Sequence, residues 1–268
     1  MNPFERHGID HLSASSLNLA RNNLALWVVQ YLFGEKGQPS LAMIAGNAVE
    51  DGVAHGLFHP EADLEACKSL ARESFMRRTA LGGFETEARE AKLADIVGYP
   101  AEGRKKAAPG MVAAALESLR PYGRPTRPEG QHQCRIEITL DGIPVPVIGY
   151  KDFAFDEHGL DVDLKTTTRM PSDMSADHQL QGAIYWKASG NRAQRFCYAT
   201  KADAVVLELS ADAAREAIKT AAGIANCLMR FLALSGDRAV LARLIIPDYG
   251  NFRWDRGTGA RAREIWGF

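Results

Sequence analysis

VIGYKDFAFDEHGLDVDLKTTTRMPSDMSADHQLQGAIY, residues 147–185, decides how the rest of the chain is read. It holds three pieces in order. An apolar run ends in Gly149 and is followed by Asp152. A short strand pattern, 160–166, carries Asp163 and Lys165. A helix pattern, 175–189, sets Gln181 and Tyr185 four residues apart. Alternate residues of a strand share a face, so Asp163 and Lys165 point one way and Val162 and Leu164 point into the core. Residues four apart on a helix share a face as well. Two carboxylates and a lysine converging at one spot suit a divalent cation and a phosphodiester.

Working outward, 133–140 alternates cleanly. Cys134, Ile136, Ile138 and Leu140 fall on one face and Gln133, Arg135, Glu137 and Thr139 on the other, the pattern of a half-buried strand. Glu137 on that polar face reads as a surface residue. Asp141-Gly142 marks a turn, and 145–155 is expected to return as one continuous second strand. Glu157-His158-Gly159 turns into the third strand, 160–166. Downstream, 195–199 and 205–209 read as two more strands, and Ser210 is placed to cap a long helix, 211–234. The expectation is an α/β fold with a central mixed sheet, its strands running through Ile136, Ile148, Val162, Phe196 and Val206. Helices flank it, and the Gln181 helix crosses over between the third and fourth strands.

The first half is expected to be helical. A serine after Leu12 caps a helix whose apolar face is Leu17, Ala20, Leu24, Val28, Tyr31 and Leu32. Further helices are expected over 41–58, 63–79, 85–97 and 107–119. The basic run Gly103-Arg104-Lys105-Lys106 reads as a solvated loop, with a phosphate contact as its functional alternative. Residues 121–130 are rich in Pro and Gly and mark the change from helical to sheet-centred chain. The tail interleaves Tyr249, Phe252, Trp254 and Trp266 with Arg253, Arg256, Arg261 and Arg263. It suits docking on its own domain, or stacking on bases. The whole is expected to be one domain: helical over 1–130, sheet core over 131–210, and a helix with an aromatic, basic tail over 211–268.

Bulk composition narrows the class. The chain has 268 residues and a formal net charge of −1, so any positive surface for nucleic acid is local. No apolar run approaches the ~20 residues of a spanning helix. The N-terminus has no basic start followed by an apolar core, so a cytoplasmic protein without membrane contact is expected. Cys67, Cys134, Cys197 and Cys227 are scattered and read as isolated reduced residues.

Gly149…Asp152, Asp163-Leu164-Lys165 and Gln181-x-x-x-Tyr185, in this order and spacing, resemble the PD-(D/E)xK nucleases, in particular their RecB-like exonuclease branch. The resemblance implies a restriction-endonuclease-like core with Asp152, Asp163, Lys165, Gln181 and Tyr185 as catalytic residues. It implies metal ligation by Asp152, Asp163 and the Leu164 carbonyl. Glu50 stands in Gly46-x-x-x-Glu50, where the family commonly has a histidine ligand, and is the fourth candidate ligand. Oxygen ligands favour Mg²⁺ or Mn²⁺. Some members carry an iron–sulfur cluster built on C-terminal cysteines; none follows Cys227 here, so no cluster is expected. The implied activity is a metal-dependent DNA exonuclease acting in recombination, repair or phage DNA processing. It is similar to stand-alone nucleases of phages and prophages, for which a single-strand annealing or recombination protein is a candidate partner. The alternatives are an endonuclease of the same fold and a catalytically silent DNA-binding module.

Overall fold

The computed structural model describes residues 1–80, 82–100, 107–126 and 133–268. The basic run 103–106 and the end of the breaker-rich segment, 127–130, lie outside the described residues. The fold is mixed α/β with a helical N-terminal portion.

The N-terminal helices are α1 (Pro3–Arg6), α2 (Ala14–Asn22) and α3 (Leu24–Trp27). Ser13 caps α2 by accepting from the Ser16 amide. The single helix expected from Leu12 to Leu32 is broken at Asn23. Its side chain accepts from the Leu26 amide and so restarts the chain as α3, which widens into a π-type turn over Val28–Leu32. The apolar spacing survives the break because Leu17, Ala20, Trp27, Val28 and Leu32 are buried in one cluster.

Four helices follow: α4 (Leu41–Phe58), α5 (Leu64–Thr79), α6 (Thr86–Val97) and α7 (Met111–Leu119). Ser40 and Asp63 cap α4 and α5 through side-chain oxygens. The helix expected to begin at residue 107 begins four residues later. Ala108 pairs with Tyr99 in an isolated bridge, and Gly110 takes φ +92° directly before α7. That backbone conformation suits glycine and stops a helix from extending backwards.

The strands among the described residues are β1 (Cys134–Ile138), β2 (Val147–Lys151), β3 (Phe153–Phe155), β4 (Leu160–Thr166), β5 (Ala193–Ala199) and β6 (Ala204–Leu209). They do not form the one central sheet expected. The strand expected over 145–155 is interrupted at Asp152. Its first part pairs antiparallel with β1 and is bridged at Val147 by Leu12, and its second part starts a four-stranded sheet in the order β3-β4-β5-β6. β4 and β5 are parallel, and the other neighbours are antiparallel. A parallel pair needs a long crossover, and α8 (Ala176–Ala188), capped by Ser175, supplies it between β4 and β5. The remaining helices are α9 (Ala211–Ala233, capped by Ser210), α10 (Arg238–Ala242) and α11 (Arg256–Trp266). Trp266 Nε1 donates to the Ala242 and Ile245 carbonyls, which docks the tail on its own chain. No helix among the described residues is long and apolar enough to cross a membrane.

Strand alternation sorts the four-stranded sheet into two faces. Val162, Leu164, Cys197 and Ala199 pack with α4, α5 and α7. Phe196 and Tyr198 pack with Ala183 of α8. The register sets Asp163 beside Phe196 and Lys165 beside Tyr198, so the charged pair shares the α8 face with two aromatic rings.

α4 and α5 approach closely at Gly52. A Cβ there would lie 2.7 Å from the Cys67 carbonyl oxygen and 2.9 Å from Ala71 Cβ. The carbonyl is part of a helix and cannot swing away. Gly52→Ala is expected to destabilise the protein by about 1–3 kcal/mol. In urea titration the midpoint should fall with an unchanged slope.

Candidate active site

The site lies on the free edge of β4. β3 pairs with β4 only as far as Val162. Beyond it the Leu164 amide has no strand partner on that edge, and a buried amide requires an acceptor. Asp152, in the break between β2 and β3, provides one: Leu164 N donates to Asp152 Oδ2 at 2.9 Å. Its other oxygen accepts from Gln133 Nε2 at 3.2 Å, and the same amide nitrogen donates to Glu50 Oε1 at 2.8 Å. The Gln133 amide therefore sits between two carboxylates, one from α4 and one from the strand break.

Asp163 lies on the α8 face, 4% exposed. Gln181 Nε2 donates to its Oδ1 at 2.7 Å and to the Tyr185 hydroxyl at 3.0 Å. The Tyr185 hydroxyl donates in turn to the Tyr150 carbonyl at 2.8 Å. One chain of bonds thus runs from β4 through α8 to β2. Gly149 is the glycine this requires, because a Cβ there would stand 2.7 Å from Tyr185 Cε1. Asp163 Oδ2 forms an ion pair with Lys165 Nζ at 2.5 Å.

Asp161, two residues earlier on the same face, is handled differently. Its Oδ2 accepts from Lys151 Nζ, Ser189 Oγ and Gln194 Nε2 at 2.9–3.0 Å, and its Oδ1 faces Arg192 Nε at 3.3 Å. Two cations and two neutral donors serve one carboxylate. Asp161 thus has two cations of its own, whereas Asp163 shares a single lysine with Asp152 and Glu50.

This imbalance appears in the protonation equilibria. Burial, then the Asp163 and Glu50 charges, push the Asp152 carboxyl well above the usual range. Burial raises Glu50 too, with Asp163 and Asp51 adding to it. Burial alone lowers the Lys165 ammonium; Asp163, Asp152 and Glu50 outweigh it and hold it above the ordinary lysine value. Lys165 is therefore a firm cation among three carboxylates.

The residues named from sequence, Glu50, Asp152, Asp163, Leu164, Lys165, Gln181 and Tyr185, come together at this edge. Glu137 does not; it pairs with Arg135 on the surface. Gln133 joins the site unannounced, since one glutamine at a strand end carries no sequence signal. Two cavities adjoin the cluster. One, about 600 Å³, is lined by Glu50, Gln133, His55, His59, Arg77 and Arg78. The other, about 780 Å³, is lined by Lys165, Gln181, Tyr185, His178, Ser13 and Arg253.

Among the described residues no three His, Cys, Asp or Glu side chains form a group ready to hold a metal ion as they stand. The donor chemistry still fits a hard divalent cation. Three carboxylates face one lysine, and a partly positive amide bridges Glu50 and Asp152.

The raised carboxyls set a pH dependence for the metal-free protein. A carboxyl whose folded pKa exceeds its unfolded value binds more protons when folded. Its contribution is then lost as pH rises from the usual carboxylate range through the raised value. Asp152→Asn removes this penalty. It should raise the metal-free melting midpoint at pH 8. The gain should shrink as pH falls towards 4. Thermal melts of both proteins in chelator across that range check it, and equal midpoints at every pH would contradict it.

Comparison with known proteins gives little. No family model matches the chain, and a search of curated proteins finds no match. Among solved structures, the crystal structure of SSO0001 aligns with 76% of this chain and 85% of its own, at 12% identity and a TM-score of 0.32, a likeness that carries no argument.

Proposed function

We propose that this chain is a divalent-metal-dependent nuclease of the PD-(D/E)xK kind that hydrolyses phosphodiester bonds in DNA. One observation supports this most. Asp163 and Lys165 stand together on the free edge of β4, with Asp152 and Glu50 brought to the same edge from a strand break and a helix. No core packing requires three carboxylates and a lysine there, and leaving them so is costly.

Glu50, Asp152, Asp163 and the Leu164 carbonyl would hold Mg²⁺ or Mn²⁺. Such an ion polarises a phosphate and makes a water nucleophilic near neutral pH. The side chains do the rest. Gln181 fixes one Asp163 oxygen, and Lys165 pairs with the other. Lys165 stays protonated and offsets the negative charge that builds up at the phosphate. Tyr185 anchors α8 to the Tyr150 carbonyl and keeps Gln181 aimed at Asp163. The finer reading, an exonuclease of the RecB-like branch acting in the cytoplasm in recombination or repair, rests on the motif order. So does a recombination protein as partner.

A divalent-dependent assay on linear and circular DNA tests this. Degradation of linear DNA alone supports an exonuclease, cutting of circles an endonuclease, and no cleavage a silent binding module. Within the assay Asp163 and Lys165 should fail differently. Asp163→Asn should lose metal affinity and cleavage together. Lys165→Ala should keep metal binding while single-turnover cleavage falls by about two to three orders of magnitude. A Lys165→Ala protein that cuts at the wild-type rate would remove the reading.

A further inference from the structure

His178 lines the larger cavity beside Lys165, and nothing above uses it. It precedes Gln181 by three residues and Tyr185 by seven, so the three share one face of α8. Its ring stacks on Phe196, centroids 5.5 Å apart and planes 16° apart. Lys165 Nζ stands 5.8 Å from the same Phe196 centroid. His178 Nδ1 hydrogen-bonds the Tyr198 hydroxyl at 2.8 Å. Nε2 makes no hydrogen bond among the described residues. The ring is thus held on two sides, by a stack and by a bond, while one nitrogen is left to the cavity. A half-buried histidine fixed through one nitrogen commonly presents the other to a ligand.

We propose that His178 is a further catalytic residue: Nε2–H donates to a non-bridging oxygen of the phosphodiester bound beside Lys165. In the tautomer with hydrogen on Nε2, Nδ1 accepts the Tyr198 hydroxyl proton. Burial and the Lys165 charge keep the ring's pKa below the ordinary histidine value, so it acts as a neutral donor. The hydroxyl of Tyr198 is itself held protonated by burial and by Asp163. The proposal rests on the nuclease reading and names a contact of that same site.

Two measurements separate the two ideas. The first is single-turnover cleavage with Mg²⁺ by His178→Ala and His178→Gln, alongside Mg²⁺ titration, oligonucleotide affinity and melting. His178→Ala should cleave about 100-fold more slowly, with both affinities within about twofold of wild type. His178→Gln, which keeps a side-chain N–H, should recover part of the rate. The second is the ring ¹⁵N resonance of His178 in wild-type protein in chelator. It should shift when a short DNA oligonucleotide is added to saturation by anisotropy. Wild-type cleavage by His178→Ala overturns the proposal and leaves the nuclease reading standing. Equal slowing of both variants with lowered melting points indicates a structural ring and also overturns it. A wild-type protein inert on all DNA whose His178 resonance still shifts sinks the nuclease reading and keeps the phosphate contact. An unmoved resonance at saturation overturns the contact.

Discussion

The hydrogen bond from the Leu164 amide to Asp152 Oδ2 is the constraint on which sheet, site and chain path all depend. β4 loses its neighbour after Val162, which leaves a buried amide facing no strand. An unpaired buried donor costs about 1–3 kcal/mol. A side chain replaces the missing strand, and only a residue at the break between β2 and β3 is positioned to do so. Once that carboxylate is fixed by one oxygen, its other oxygen faces Gln133 and, through it, Glu50 of α4. The free edge of β4 thereby collects acids from three parts of the chain.

The two aspartates of Asp161-Val162-Asp163 show how environment divides one residue type into two roles. Asp161 receives two cations and two neutral donors from β2, the end of α8, the turn into β5 and β5 itself. Asp163 has one glutamine amide and a lysine shared with two more carboxylates. Burial first, and then the Asp163 charge, raise the pKa of the Asp152 and Glu50 carboxyls beside it. Evolved sites tolerate such strain where a cation or substrate offsets it.

Much of this was legible in the sequence because period and punctuation agreed. The expected limits of α4 and β4 match the structure to the residue, and Ser210 caps α9 as expected. The seven site residues named from the motifs also meet. What was missed had no periodic signature. β2 and β3 are both extended and apolar, so the break at Asp152 leaves the alternation unchanged while moving β1 and β2 into a separate sheet. Asn23 interrupts a helix whose apolar spacing continues past it. Pro109-Gly110 did mark the true start of α7, but the alanines before it read as helix. Gln133 and His178 enter through tertiary contacts that a one-dimensional pattern does not contain. A histidine one turn before Gln181 was the available clue for the latter.

The aromatic pair on β5 decides how strongly the charged pair on β4 acts. In the parallel register Phe196 lies beside Asp163 and Tyr198 beside Lys165, all on the α8 face. Phe196 is 1% exposed and Tyr198 3%, so water is excluded from that flank of the lysine. Excluding water lowers the local dielectric and strengthens each remaining charge interaction. The same wall would be ruinous beside an unpaired ammonium. Here the Asp163 carboxylate at 2.5 Å keeps Lys165 charged, and the Phe196 ring adds a weak attraction for it. The sheet thus supplies charge from one strand and a dry wall from the next. The alternation that places Asp163 and Lys165 together is what places the rings beside them.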